Sequence, residues 1–283
     1  MIKKKELVLQ SLEIPSVPAV AIKVMRIIDD PYASIDEIQR VIVSDQSLTA
    51  NVLNLANSAY YNVGHKIDTI SEAISLMGLD TIRILTLAIS TQGVYKNFGL
   101  IEQKLWEHGI GVSIASGVIA RDCRNIKREE AIVAGLLHDI GKTIMNYNFP
   151  ERFRILTQRV YDKRVRYSSI EKEHFNFTHA EVGAYFAEEW AFPRILIDVI
   201  RNHHNCDSHF LESDSYTGTL CLVVALADAL CIRLGVGYRG PMADLDLGID
   251  EMMKKLGISE KRFLEIIDIF KEAYVEEKAF YKV

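Results

Sequence analysis

Apolar residues recur at helical spacing along almost the whole chain, which leaves little room for any other secondary structure. Two start signals fit a capping box, Ser34-Ile-Asp-Glu37 and Thr69-Ile-Ser-Glu72, and each opens onto an apolar run. After the first, Ile35, Ile38, Val41 and Ile42 fall on one helical face. No set of segments alternates apolar and polar residues as strands would. Pro15 and Pro18 bracket a turn before a helix at Ala19 to Asp29, and Gly64 and Gly78 punctuate the connections that follow. The expected fold class is all-α.

Residues 1–95 read as an N-terminal helical subdomain. Gln92 to Gly99, with two glycines and an asparagine, marks a boundary. Residues 96–283 read as a second helical domain on which the first packs, with helices at roughly 104–122, 129–146, 150–166, 179–190, 193–204 and 218–234. Gly235-Val-Gly-Tyr-Arg-Gly-Pro241 breaks the pattern, and an amphipathic helix at 259–281 closes it, with Phe263, Ile266, Ile267 and Phe270 on one stripe.

A length of 283 residues and 49% hydrophobic composition suffice for a sizeable core. The formal net charge of −5 argues against a broad phosphate-binding surface, so no nucleic-acid partner is expected. Apolar stretches such as Leu220 to Leu226 read as too short to span a bilayer, and the basic start at Met1 is followed by no apolar signal core. A cytoplasmic protein with no membrane partner is expected. Cys123, Cys206, Cys221 and Cys231 form no close pair and read as reduced, mostly buried thiols, although Cys206 lies near two histidines. Met25, Met77 and Met145 are expected in the core.

The strongest local signal is Ala134-Gly-Leu-Leu-His138-Asp139-Ile-Gly-Lys142. A neutral imidazole beside a carboxylate can bind one divalent ion, and the second carboxylate oxygen can reach another. Lys142, one turn on, either faces a phosphate or is simply a charge favoured at a helix C-terminus. His108 follows Trp106 near a helix start. His179 sits in a third capping box, Thr178-His-Ala-Glu181. His203 and His204 end a helix whose body is Ile195 to Ile200, and Asp228 lies inside an apolar helix, where it needs a partner. Taken singly, each histidine reads better as a surface, cap or helix-end residue than as a ligand. His65, His174 and His209 lie outside the pattern.

The order His, His-Asp, His, His-His, Asp resembles the ligand pattern of two-metal members of the HD phosphohydrolase superfamily. The resemblance implies that His108, His138, Asp139 and Asp228 hold one ion, that His179, His203 and His204 hold the other, and that Asp139 bridges. Asp139 and Lys142 are the expected catalytic positions. The cofactors implied are two divalent transition-metal ions: iron, manganese, zinc or nickel. Upstream, Leu12-Glu-Ile-Pro15-Ser-Val-Pro18, Ser44-Asp-Gln-Ser-Leu48-Thr-Ala50, Leu53-Asn-Leu-Ala-Asn57-Ser58-Ala-Tyr60-Tyr61 and Ile70-Ser-Glu-Ala-Ile74-Ser-Leu-Met-Gly78 resemble the signature of the HDOD (HD-related output domain) family. This likeness runs from about residue 10 to 210.

That family implies a bacterial regulatory protein acting through signalling-protein partners, with a metal pocket that takes a nucleotide or other phosphate ligand. The alternatives are an active metal-dependent phosphohydrolase of nucleotides or cyclic dinucleotides, and a scaffold whose metals only brace the fold. The related HD-GYP family hydrolyses cyclic di-GMP, but its motif after the His-His pair is absent here: Asn205-Cys-Asp-Ser-His209 follows instead. Gly237-Tyr-Arg-Gly-Pro241 comes after Asp228 and reads as coincidence. Lys104 stands where three-metal relatives carry a glutamate, which disfavours a third ion. Asn57-Ser58 and Tyr60-Tyr61 are expected to end a helix and pack against the second half.

Overall fold

Ser34 and Glu37 close the reciprocal capping box that their spacing calls for: the Ser34 side chain accepts from the Glu37 N–H, and the Glu37 carboxylate accepts from the Ser34 N–H at 3.0 Å. Thr69 closes only half of one. Its hydroxyl accepts from the Glu72 N–H at 3.2 Å and donates to the Glu72 carboxylate.

The computed structural model describes residues 12–13, 16, 18–28, 30, 32–57, 64–90, 99–205, 215–237, 240–242 and 244–278. Among them are fifteen α-helices, one short 3₁₀ turn and no strand. The expected boundary at 92–98, the Ser58 and Tyr60-Tyr61 segment, Asp29, Cys206, His209 and Tyr238 lie outside the described residues.

The chain divides into two compact units, Pro15–Gly93 with Val275–Val283, and Met1–Ile14 with Val94–Tyr274. The smaller unit contains α1 (Ala19–Ile28), α2 (Ile35–Val43), α3 (Gln46–Ala56), α4 (Ile70–Met77) and α5 (Leu79–Ser90). Its core gathers Ala21, Val24, Ile38, Ile42, Val52, Ile74 and Ile82, each at most 2% exposed. The predicted α2 stripe is narrower than expected. Ile38 and Ile42 are buried, but Ile35 is 41% exposed. Met25 is half-buried rather than core, whereas Met77 and Met145 are buried.

The larger unit holds α6 (Leu100–Ile119), α7 (Arg128–Leu137), α8 (Ile140–Asn148), α9 (Pro150–Lys163), α10 (Tyr167–Phe175), α11 (His179–Glu189), α12 (Arg194–Asn202), α13 (Tyr216–Leu234), α14 (Ile249–Leu256) and all but the last turn, from Val275, of α15 (Glu260–Lys278). Most residues of α6 and α13 are buried, because α7 packs along α6 and both contact α13.

Several expectations need correction. The helix expected at 129–146 is two helices, broken at His138-Asp139, where Asp139 leaves helical geometry at φ −101° and ψ 12°. The helix expected at 150–166 stops at Lys163, since Arg164 adopts left-handed geometry at φ 51°. Helices α10 and α14 were not anticipated. Helix α13 is in fact long and apolar enough to cross a membrane by length and composition; most of it is buried inside the larger unit, where α6 and α7 cover it. On the closing helix, Phe263, Ile266 and Phe270 are buried, and Ile267 is half-buried.

Candidate metal centre

Four helices and the break between two others deliver the seven expected residues to one buried point. The break between α7 and α8 supplies His138 and Asp139, α6 supplies His108, and the α11 start supplies His179. The α12 end supplies His203 and His204, and the middle of α13 supplies Asp228. All but His204 are at most 6% exposed. They fall into two groups with mutually close ligand atoms: His108, His138 and Asp228, and Asp139, His179, His203 and His204. His174 is turned to Arg159 and the Ile170 carbonyl, and His65 is exposed, so neither joins them.

The histidines are held in a common orientation. Each of three gives Nδ1 to a main-chain carbonyl: His108 to Val236 at 3.0 Å, His138 to Gly135 at 2.7 Å and His203 to Ile200 at 2.8 Å. His179 turns Nδ1 to the Glu171 carboxylate at 2.7 Å. Carbonyl and carboxylate oxygens only accept, so Nδ1 carries a proton and each ring turns its Nε2 inward.

Those inward nitrogens lie close to one another and to the carboxylates. His179 Nε2 lies 2.9 Å from His204 Nε2 and 3.4 Å from His203 Nε2. His108 Nε2 lies 3.0 Å from Asp228 Oδ1. Two atoms shielded from solvent, His138 Nε2 and Asp139 Oδ1, have no hydrogen-bond partner. Nitrogens and carboxylates gathered this closely repel unless protons or metal ions sit among them, and a buried polar atom without a hydrogen bond costs several kcal/mol. The donor set of imidazole nitrogens and carboxylate oxygens fits divalent transition metals.

Charge supports the same reading. Burial alone would raise the carboxyls of Asp139 and Asp228, but the charges and hydrogen bonds of their neighbours hold both well below the usual range; these are chiefly His138 and Lys142 for Asp139, and His108 and His138 for Asp228. Burial lowers His138, yet Asp139 and then Asp228 outweigh it and push that imidazole up to about 10. A proton thus stands in for a cation. His204 goes the other way: burial, then the adjacent His203 and His179, hold it well below the ordinary value.

Lys142 is buried and donates to Asp139 Oδ2 at 2.6 Å, with its ammonium 4.5 Å from the centre of the Tyr167 ring. Burial lowers its pKa, but Asp139 and Asp228 more than compensate, so it stays an ammonium. Lys104 pairs with Glu107 at 2.7 Å.

Four contributors lie outside the predicted set. Glu171 is fully buried and also accepts from the His179 N–H at 3.0 Å. Nothing in its sequence surroundings marks it, because α10 itself was unexpected. The Val236 carbonyl orients His108, so the Gly235–Pro241 break does serve the site. Next to it, Gly237 presses so close that a Cβ there would fall 2.5 Å from His108. Gly141 sits under α11 in the same way, with a Cβ position 1.9 Å from the His179 carbonyl oxygen.

An all-helical protein that converges five histidines and two aspartates on one buried point belongs among those with His/Asp metal-type sites. The family is more specific: the HDOD domain model matches residues 14–206, and this chain belongs to the HDOD family. Among solved structures, an HDOD domain protein of unknown function from Geobacter sulfurreducens has a TM-score of 0.75 at 23% identity, covering 100% of each chain. A protein of Shewanella amazonensis SB2B, provisionally named a phosphohydrolase, has a TM-score of 0.71 at 22% identity, covering 97% of this chain and 98% of that one. At these identities the likeness establishes the fold. An uncharacterized protein of Treponema pallidum (strain Nichols) is 26% identical over 198 residues, which is 68% of this chain and 38% of that protein. Ribonuclease Y of Mycoplasma mycoides is 27% identical over 191 residues, 65% of this chain and 35% of that protein. The aligned part is thus between a third and two-fifths of each of these two curated relatives.

Proposed function

We propose that this chain is a bacterial regulatory protein whose five-histidine, two-aspartate centre holds two divalent transition-metal ions and captures a phosphorylated small molecule, with its output passed to signalling proteins it contacts. The observation that carries the reading is the division of Asp139. Its Oδ2 lies 3.3 Å from His138 Nε2 and 3.6 Å from His108 Nε2, while its Oδ1 lies 3.1 Å from His179 Nε2 and 3.7 Å from His203 Nε2. One carboxylate oxygen facing each histidine group is what a bridging ligand requires. Iron, manganese, zinc or nickel suits the donors. Neither a nucleic acid nor a membrane is a proposed partner.

The second reading, a working phosphohydrolase, draws on the same split carboxylate. Two ions there would polarise a phosphoryl oxygen and acidify a water. Lys142, on Asp139, is placed to hold a phosphoryl oxygen in line, and Glu171 would fix His179. Turnover also needs the leaving group positioned, and the segment after His204 departs from that of cyclic di-GMP hydrolases.

The test is a metal-loaded assay against cyclic dinucleotides, nucleotides and a generic phosphodiester, beside Asp139→Ala. Phosphate binding without turnover is the expected outcome. Turnover that vanishes in Asp139→Ala would replace the regulatory reading with the enzymatic one.

A further inference from the structure

A cavity of about 120 Å³ opens on the His203, His204 and Asp228 side of the centre, with Lys142 and Tyr167 forming part of its lining. The same two residues line a smaller cavity of about 60 Å³ that reaches His108 and Asp139, so they stand between the two. The larger cavity has two chemically distinct parts. Its inner end carries the metal-type ligands and the Lys142 ammonium. The rest of its lining is mixed: Val165, Ile232, Met242, Leu245, Leu247 and Met252 are apolar, while Glu251 and Lys255, which pair with each other, are charged. No serine, threonine, asparagine or glutamine is among the described lining residues.

The roof of this cavity is pinned. Arg164 pairs with Asp244, and Arg166 donates to the Asp246 carbonyl at 2.9 Å, so the 240–248 strap is tied to the start of α10. Arg166 also lines the cavity, and among the described residues its hydrogen-bond partner is a neutral carbonyl, so its positive charge can act on a ligand. Lys255, by contrast, is matched by Glu251 at 2.9 Å.

We propose that this cavity selects a phosphomonoester or phosphonate whose organic part is small and apolar, rather than a nucleotide or cyclic dinucleotide. The inference rests on the two-metal phosphate reading above and narrows its ligand. An anionic head is drawn inward by Lys142, Arg166 and the centre. The remainder of the ligand meets six aliphatic or thioether side chains, with Glu251 and Lys255 engaged by each other. A nucleobase needs polar partners for its ring edges, and a sugar needs them for its hydroxyls; leaving those groups unpaired on burial opposes binding. Size points the same way, since sites for drug-sized ligands enclose roughly 300–1,000 Å³.

The test is calorimetric binding to manganese-loaded full-length protein, using methylphosphonate, n-butylphosphonate, phenylphosphonate, ribose 5-phosphate and adenosine monophosphate. Each buried methylene tightens binding roughly fourfold. Butyl- and phenylphosphonate should therefore bind at least about tenfold tighter than methylphosphonate, and the two ribose compounds no tighter than it. Leu245→Ser and Val165→Ser, at half-buried positions, should each erase much of that preference while methylphosphonate still binds. Metal-free protein should lose most affinity for every probe. Equal affinity for methyl- and butylphosphonate, or tighter binding of adenosine monophosphate, overturns the proposal and leaves the phosphate reading standing. Failure of every phosphonate and phosphate to bind the metal-loaded protein overturns that reading, and this inference with it.

Discussion

Glu171 and His179 are joined twice: the buried carboxylate accepts from both the main-chain N–H and the Nδ1–H of His179, at 3.0 and 2.7 Å. This pair fixes which nitrogen of His179 faces the centre. Glu171→Gln keeps the volume but presents one accepting oxygen in place of two. Partners of this kind alter metal affinity by about 10- to 100-fold, so a loss in that range is expected in competition with a chromogenic chelator. Unchanged affinity would show that Glu171 serves only packing.

Metal stoichiometry should be about two ions per chain, as the two-metal template requires. Elemental analysis of protein reconstituted after purification without a nickel column measures it. Asp139→Ala should lose both ions, because its two oxygens face different histidine groups. His204→Ala should lose mainly one, since His204 belongs to the His179 group. No metal uptake by the wild-type chain would defeat the assignment.

Metal uptake should release protons. In metal-free protein His138 is pushed up to about 10, so near neutral pH its Nε2 is protonated. That raised value stabilises the metal-free fold fully below the ordinary histidine pKa of 6.5 and is lost as pH rises through about 10. Metal affinity runs in the opposite sense: it should strengthen from neutral pH toward about 10, because the proton must leave first. Calorimetry in buffers of different ionisation enthalpy should show release of about one proton near neutral pH. A slope of zero would contradict the assignment of His138 as a ligand.

Gly141→Ala should destabilise the fold by about 1–3 kcal/mol or more, since the new methyl meets main-chain atoms that cannot rotate away: the His179 carbonyl at 1.9 Å and the Gly183 nitrogen at 2.7 Å. Gly240→Ala, which meets nothing within 4 Å, is the control and should stay within about 0.5 kcal/mol. Urea midpoints of the two variants measure the difference. Comparable stability would mean that α8 and α11 are free to separate.

Local chemistry was legible in the sequence. The boxes at Ser34-Glu37 and Thr178-Glu181 close as spaced, because capping is settled within four residues. The all-helical class followed from periodicity, and the seven histidines and aspartates were recognisable by type and order. Their convergence was not, because it depends on contacts between residues far apart in the chain. His108 meets Asp228 across 120 positions, and its tautomer is set by a carbonyl 128 positions away. Glu171 carries no motif and becomes visible only once Arg164 turns the chain out of α9 and α10 runs back beside His179. The His138-Asp139 break looks like continuous helix in sequence, since nothing between Ala134 and Lys142 forbids it. Only packing decides that the chain should bend there, and the bend is what turns the Asp139 carboxylate toward both histidine groups.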